Sequence, residues 1–261
     1  MRVRLLLPAL LVFAGCTKSG EDPAAALLTE VKKRLTERDG RLTSYRLEGR
    51  TSEGAAEPVG FSFAYRSPQR MRAALGAPIS RTFSWDGERL FELSETEKRL
   101  TTFKTELPPE RRAGFLTETF APFTPEGFRA PLLPLGASAK RTTHPRAQEA
   151  VELSAKVADP AAQGLEVAYT LRWPTLDFLG KRSLTAEGDT LEVRVEEEHC
   201  DEALKLCVPK RLTRWVKGEK VGETTLSGVE LNPALPNDTF TLGAPEGYEV
   251  LTKTLVDAAA K

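Results

Sequence analysis

Along most of the chain, apolar side chains fall on every second residue. In GFSFAYRS, Phe61, Phe63 and Tyr65 share one face of an extended strand, while Ser62, Ala64 and Arg66 share the other. The alternation continues through Met71, Ala73 and Leu75. RTFSWDGERLFEL then offers Phe83 and Trp85, an Asp86-Gly87 turn, and a return strand with Phe91 and Leu93. Asp-Gly between alternating runs is a strong hairpin signal. Further strands are predicted at Val167, Tyr169, Leu171 and Trp173, at Leu191, Val193 and Val195, at Leu212, Arg214 and Val216, and last at Phe240 and Leu242. Each has one apolar face, which argues for a large antiparallel sheet with one wet side rather than a parallel sheet buried on both.

The period changes in two places. DPAAALLTEVKKRL, Asp22 to Leu35, opens with an Asp cap and Pro23 at the first helical position, and carries Leu27, Leu28, Val31 and Leu35 at helical spacing. Between Pro108 and Phe128, Phe115, Leu116, Phe120, Phe123 and Phe128 sit among prolines in a second helical region. Two pieces of helix are little cover for so much sheet, so the sheet is expected to curl around its apolar face with the helices plugging the opening. Pro131 to Ala150 reads as a loop from its proline and charge content.

The extreme N-terminus is of another kind. MRVRLLLPALLVFAGC places Arg2 and Arg4 before an apolar run, Leu5 to Phe13, that ends in Ala14, Gly15 and Cys16. A membrane-spanning helix needs ~20 apolar residues, so the pattern is that of an export signal. Phe13-Ala14-Gly15-Cys16 resembles the lipobox of bacterial lipoproteins, with Phe13 where that family most often has leucine. The resemblance implies cleavage after residue 15, acylation of Cys16 and a tether over 16–22. Each buried methylene of such an anchor contributes about 0.8 kcal/mol. Thr17 stands where aspartate retains enterobacterial lipoproteins at the inner membrane, so the expected location is the outer membrane, facing the periplasm.

Export also governs the reading of the other two cysteines. Cys200 and Cys207 flank DEALKL in strand-like sequence, and an oxidising compartment favours a disulfide across a hairpin. His199 beside Cys200 raises a metal site as the alternative, but neighbours on a strand point to opposite faces, and the chain has only two histidines.

Charge and motifs narrow the function. Lysine plus arginine and aspartate plus glutamate balance at 37 each, leaving no net field for nucleic acid or an anionic surface. The chain contains none of G-x-S-x-G, H-E-x-x-H, the phosphate-binding loop or G-x-G-x-x-G, and no repeat of roughly 20 to 50 residues. Glu196, Glu197, Glu198, Asp201 and Glu202 read as a solvated strand end and turn rather than an acid-base pair. A non-enzyme without cofactor or metal is expected.

The order of these elements carries a family resemblance. A first helix, FSFAYRSPQRMRAAL, FSWDGERLFELSETEKRLTTF, a helical lid, a second set of strands and the closing VELNPALPNDTFTLGAPEGYEV together resemble the LolA/LolB-like family of periplasmic lipoprotein carriers and receptors, over roughly Asp22 to Val250. The resemblance implies a mainly β (α+β) fold: a curved antiparallel sheet forming an incomplete barrel, with covering helices over an apolar cavity for acyl chains. The domain would span 23–252, with 253–261 a tail. The carrier branch has an arginine directly before the proline of its second strand segment, which locks the lid when empty; here Ser67 stands there, and Arg66 and Arg70 flank it. The receptor branch carries a hairpin with an exposed aliphatic residue, a role open here to Leu75 or Ile79 in LGAPIS.

On that resemblance, the candidate cavity residues are Phe61, Phe63, Tyr65, Met71, Phe83, Trp85, Phe91, Leu93 and Phe115, and the alternative for each is a place in a filled core. The function expected is an outer-membrane lipoprotein, held to the membrane by its N-terminal lipid, that binds acyl chains, a lipoprotein or another amphiphile. The alternative is a structural or envelope-sensing module on the same scaffold, with a protein partner. Nucleic acid is not an expected partner.

Overall fold

The computed structural model describes residues 22–120, 123–129, 137–156, 166–184 and 188–255. The export signal, Cys16 and most of the tether lie outside the described residues. Helix α1 spans Pro23–Arg41. Six strands follow: β1 Ser44–Glu53, β2 Val59–Arg66, β3 Arg70–Leu75, β4 Arg81–Trp85, β5 Arg89–Ser94 and β6 Arg99–Thr105. Helix α2 covers Pro109–Phe120. The second set comprises β7 Ser138–His144, β8 Ala147–Lys156, β9 Glu166–Arg172, β10 Phe178–Leu184, β11 Thr190–Asp201, β12 Leu206–Val216 and β13 Glu219–Leu231, and β14 Glu249–Leu255 closes the chain.

All fourteen strands form one sheet in the order β14-β6-β5-β4-β3-β2-β1-β13-β12-β11-β10-β9-β8-β7. Neighbours pair antiparallel except β14, which runs parallel to β6. The sheet is curved and not closed. Its strands alternate largely as the sequence predicts, and the inner face carries two apolar clusters. Tyr45, Leu47, Phe63, Tyr65, Trp85, Leu90 and Leu226 pack with Leu116, Phe120 and Phe128 around α2. Val151, Leu153, Leu171, Phe178, Val195 and Leu212 pack with Val31 and Leu35 of α1.

The cap of α1 forms as read, with Asp22 Oδ1 accepting the amide of Ala24 at 3.0 Å. The helix continues past the expected end at Leu35 to Arg41 because its last turns make long-range polar contacts, described below. The stretch expected as a loop up to Ala150 instead contains β7 and the start of β8. Its apolar positions are small, as in Ala139, or follow the charged turn, as in Val151 and Leu153. All three are buried in the cluster under α1, which a reading weighted on charge and proline misses.

The C-terminus departs most from expectation. Phe240 and Leu242 do not form a final strand: Asn237–Phe240 is a 3-10 turn. From Leu231 to Tyr248 the chain crosses the outer face, where Leu235 and Phe240 bury Ala64, and Leu242 covers Phe91 and Leu100. Arg66 and Arg70 donate to Asn237 Oδ1, Arg72 Nη1 donates to the Thr239 carbonyl at 3.2 Å, and the Ser84 hydroxyl donates to the Phe240 carbonyl at 2.8 Å. The proline-rich stretch is thus a clasp over the outer face of β2–β5. Pro245-Glu246-Gly247 turns into the last strand rather than ending it, and β14 runs three residues beyond 252.

Phe240 is 0% exposed and is the apolar centre of the clasp. Phe240→Ala is expected to cost about 3–5 kcal/mol, measured as a shift of the urea midpoint. A loss below about 1 kcal/mol would mean that the clasp lies on the sheet without holding it.

Candidate functional site

The inner face of β1–β6 has a sealed base with partly covered side chains beside it. At the base, Tyr45 stacks on Phe63 and Tyr65 with ring centroids 5.8 and 5.1 Å apart and tilts against Phe128 at 5.2 Å. Burial pushes the Tyr45 phenol well above its ordinary range, so it stays neutral. Phe63, Tyr65 and Trp85 are 1%, 3% and 2% exposed, respectively. They are floor, sealed by α2 and the 123–129 segment.

Beside this base the same face is only half covered. Phe61, Met71, Phe83 and Phe115 are partly buried against the cluster, as are Phe103 and Phe123. Phe83 stacks on Phe123 at 5.4 Å, so the 123–129 segment reaches across the sheet to its half-covered part. Alternation sends Phe91 and Leu93 to the other side: Trp85 pairs with Leu90 and Phe83 with Glu92 on the inner face, leaving Phe91 opposite Ser84 and Leu93 opposite Thr82 on the outer one. Both lie under the C-terminal clasp with Leu242. Six of the nine sequence candidates therefore share the inner face of the sheet, Phe115 packs against it from α2, and Phe91 and Leu93 lie on the outer face. The two strands of that hairpin meet inward at Trp85 and Leu90, so one frame fixed on Phe83 and Trp85 does not carry over to Phe91.

A buried polar knot fastens the 123–129 segment. Arg38, 1% exposed, donates to the carbonyls of Gly127 at 2.7 Å and Phe128 at 3.3 Å. Its Nε lies 3.8 Å from Asp177 Oδ1. Asp177, 2% exposed, accepts the Cys207 amide at 2.9 Å and the Thr175 hydroxyl at 2.6 Å. Burial pushes the Arg38 guanidinium below its ordinary pKa, and the carboxylates of Asp177 and Asp39 oppose that shift.

Cys207 is disulfide-bonded to Cys200 directly across β11 and β12. The turn between them offers the carbonyls of Leu204 and Lys205 to Arg41 at 3.0 and 3.1 Å. One knot thus joins α1, the covering segment, the turn before β10 and the disulfide hairpin. Gly127 sits in it with φ +89°, where an added Cβ would lie 2.7 Å from Phe178 Cβ and 2.8 Å from Pro209 Cγ. The sequence held one sign of Arg38: it follows Val31 and Leu35 on the apolar stripe of α1, a charge where a core residue belongs.

The remaining candidates are placed as follows. Leu75 ends β3 half-buried, and Ile79 stands 42% exposed in the connection to β4. The acidic run is spent in contacts: Glu198 binds Arg172 and Arg146, Glu197 binds Arg211, and Glu196 accepts the Thr213 hydroxyl at 2.7 Å. A hollow of about 400 Å³ lined by Arg50, Ser52, Lys220, Glu223 and Thr225 lies away from the aromatic strip. No helix among the described residues is long and apolar enough to cross a membrane.

No protein-family model matches the chain, and no curated protein matches it. Solved structures do. A domain from Vibrio parahaemolyticus ascribed to an outer membrane lipoprotein-sorting protein superposes with a TM-score of 0.53 at 10% identity, over 80% of this chain and 97% of that one. A DUF1329 family protein from Desulfovibrio piger gives 0.53 at 9% identity, over 85% of this chain and 98% of that one. A LolA superfamily protein from Nitrosomonas europaea aligns over 81% of this chain and 97% of that one, at 11% identity and a TM-score of 0.48. The fold is LolA/LolB-like. Within it, the arginines flanking Ser67-Pro68 are occupied on the outer face by the clasp, and the one that reaches the covering segment is Arg38 of α1.

Removing one partner of a buried ion pair leaves the other charge uncompensated. Arg38→Ala in this LolA/LolB-like domain is expected to cost about 3–5 kcal/mol in urea unfolding. Hydrogen exchange should rise first at the amides of 123–129 and of Cys207. Uniform exchange across α1 and the sheet instead would show that the knot holds nothing in particular.

Proposed function

We propose that this protein is a lipid-anchored envelope protein, tethered through Cys16 at the outer membrane, that takes acyl chains or another amphiphile on the inner face of its half-barrel, in lipoprotein sorting or related traffic. The observation that carries the reading is the half-covered aromatic strip of Phe61, Phe83, Phe115 and Phe123 beside a sealed base. Apolar surface held from water contributes about 25 cal/mol per Å², and such a strip binds an alkyl chain without directed chemistry. The fold is shared with a domain ascribed to an outer membrane lipoprotein-sorting protein. Ile79, exposed in the β3–β4 connection, is the side chain available for contact with a membrane or a donor protein.

A second reading, an interaction module with a filled interior, rests on Phe63, Tyr65 and Trp85, which are fully enclosed by the protein itself. Protein secreted behind a cleavable leader, with Cys16→Ala, separates the two. Solvent extraction followed by mass spectrometry should recover acyl chains, and a fluorescent fatty acid should be taken up. Phe83→Asp should weaken that uptake at least about tenfold, a charge on the strip costing more than the 1.4 kcal/mol that tenfold represents. Absence of both extracted chains and uptake would sink the carrier reading. Processing that persists in the presence of globomycin would undo the lipoprotein assignment.

A further inference from the structure

Most cations on the inner face are neutralised there. Lys181 meets Glu126 of the covering segment at 2.7 Å, and although burial disfavours its charge, that carboxylate more than offsets the effect and raises the lysine pKa. Arg81 pairs with Glu92 and Glu97 at 3.4 and 3.2 Å, and Arg38 has Asp177. Arg214 is different. It pairs with Val193 of β11 and Gly222 of β13, two residues beyond Leu212, which is buried in the α1 cluster. Its side chain therefore also lies on the inner face.

Its partners are neutral. Nη1 donates to the Thr224 hydroxyl at 2.9 Å, and Nη2 donates to the Thr51 hydroxyl at 3.1 Å and the Ser52 carbonyl at 2.9 Å. Among the described residues these contacts take three of its five N–H donors. The carboxylate in range, Glu53, stands 4.0 Å away and 83% exposed, where solvent screens it. Gly222 lets the guanidinium lie flat on the sheet, since a Cβ there would come within 2.8 Å of Nη2 and 2.9 Å of Nε. The result is a fixed guanidinium, 30% exposed, whose carboxylate in range is the distant and exposed Glu53. Its bond to Thr51 sets it beside the half-covered strip: Gly49, the preceding inner position of β1, pairs with Phe61.

We propose that Arg214 is the head-group anchor of the inner face and that the amphiphile taken there is a fatty acid, its carboxylate on the guanidinium and its chain along Phe61 and Phe83. This rests on the inner-face binding reading above and adds the class of ligand. One positioned guanidinium, with its Nε and one Nη1 proton uncommitted, offers its charge and a single charge-assisted hydrogen bond to a carboxylate oxygen, while the half-buried aromatics match the chain.

The experiment is calorimetric binding of dodecanoate and of uncharged 1-dodecanol to the Cys16→Ala protein and its Arg214→Gln and Arg214→Lys variants. The parent should prefer dodecanoate by roughly tenfold, the scale of a hydrogen bond to a charged group in a partly exposed site. Arg214→Gln should abolish the preference and leave dodecanol affinity unchanged. Arg214→Lys, which keeps the charge and loses the planar donors that fix it to Thr51, Ser52 and Thr224, should retain part of it. Equal affinities in the parent, or a preference surviving in Arg214→Gln, would overturn the head-group assignment while leaving inner-face binding intact. Weakening of both ligands alike in Arg214→Gln would mark Arg214 as a brace between β12 and β1 only. Failure of both ligands to bind the parent would instead remove the inner-face reading itself.

Discussion

The apolar inner face of a fourteen-stranded sheet has to be kept from water by very little helix, and the rest of the molecule follows from how that cover is divided. α1 is committed to β7–β12 through Val31 and Leu35. α2 and the 123–129 segment cover β1–β6 through Leu116, Phe120 and Phe128. Two short helices seal the bases of both halves but not their full length. Among the described residues, a strip of aromatic side chains beside the sealed base stays half-covered.

The knot at Arg38 ties the two halves of this cover together. Its donors are spent on backbone carbonyls of the segment that lies over β1–β6, yet the residue belongs to the helix over the other half. Buried charges are costly, and pairs of them seldom add net stability over an apolar alternative. What a guanidinium offers here is direction: it fixes where Gly127 and Phe128 sit, and Phe128 in turn stacks on Tyr45 at the centre of the base.

Strand content and the inner frame were legible because period-two alternation is a local signal. Phe61, Phe63, Tyr65, Met71, Phe83 and Trp85 fall on one face as the sequence implies. The misplacement of Phe91 and Leu93 has a physical source: the outer face is apolar at β5 because the C-terminal clasp covers it, and two apolar faces on one strand erase the alternation that would tell them apart. The clasp was illegible for the same non-local reason, since Phe240 and Leu242 are spaced like a strand but are used as a buried turn and its extension. β7 and β8 were hidden by charge, their apolar side being small or late in the segment. Arg38 and Arg214 left weak traces, one a cation on an apolar helix stripe and the other a cation at an inward strand position, and their partners lie 89 and 163 residues away.

The parallel pairing of β14 with β6 has a consequence for how such a sheet survives unclosed. An open sheet offers two rows of unpaired backbone groups, each a template for another chain. Here the chain returns after crossing the outer face to occupy one of those rows itself, presenting Lys253 along the new margin. The opposite margin, β7, carries Lys140 and Arg141, the latter packed 3.6 Å over the Trp173 ring. Both borders are thus charged strands, so the sheet can stay unclosed without offering its margins to a second copy of itself.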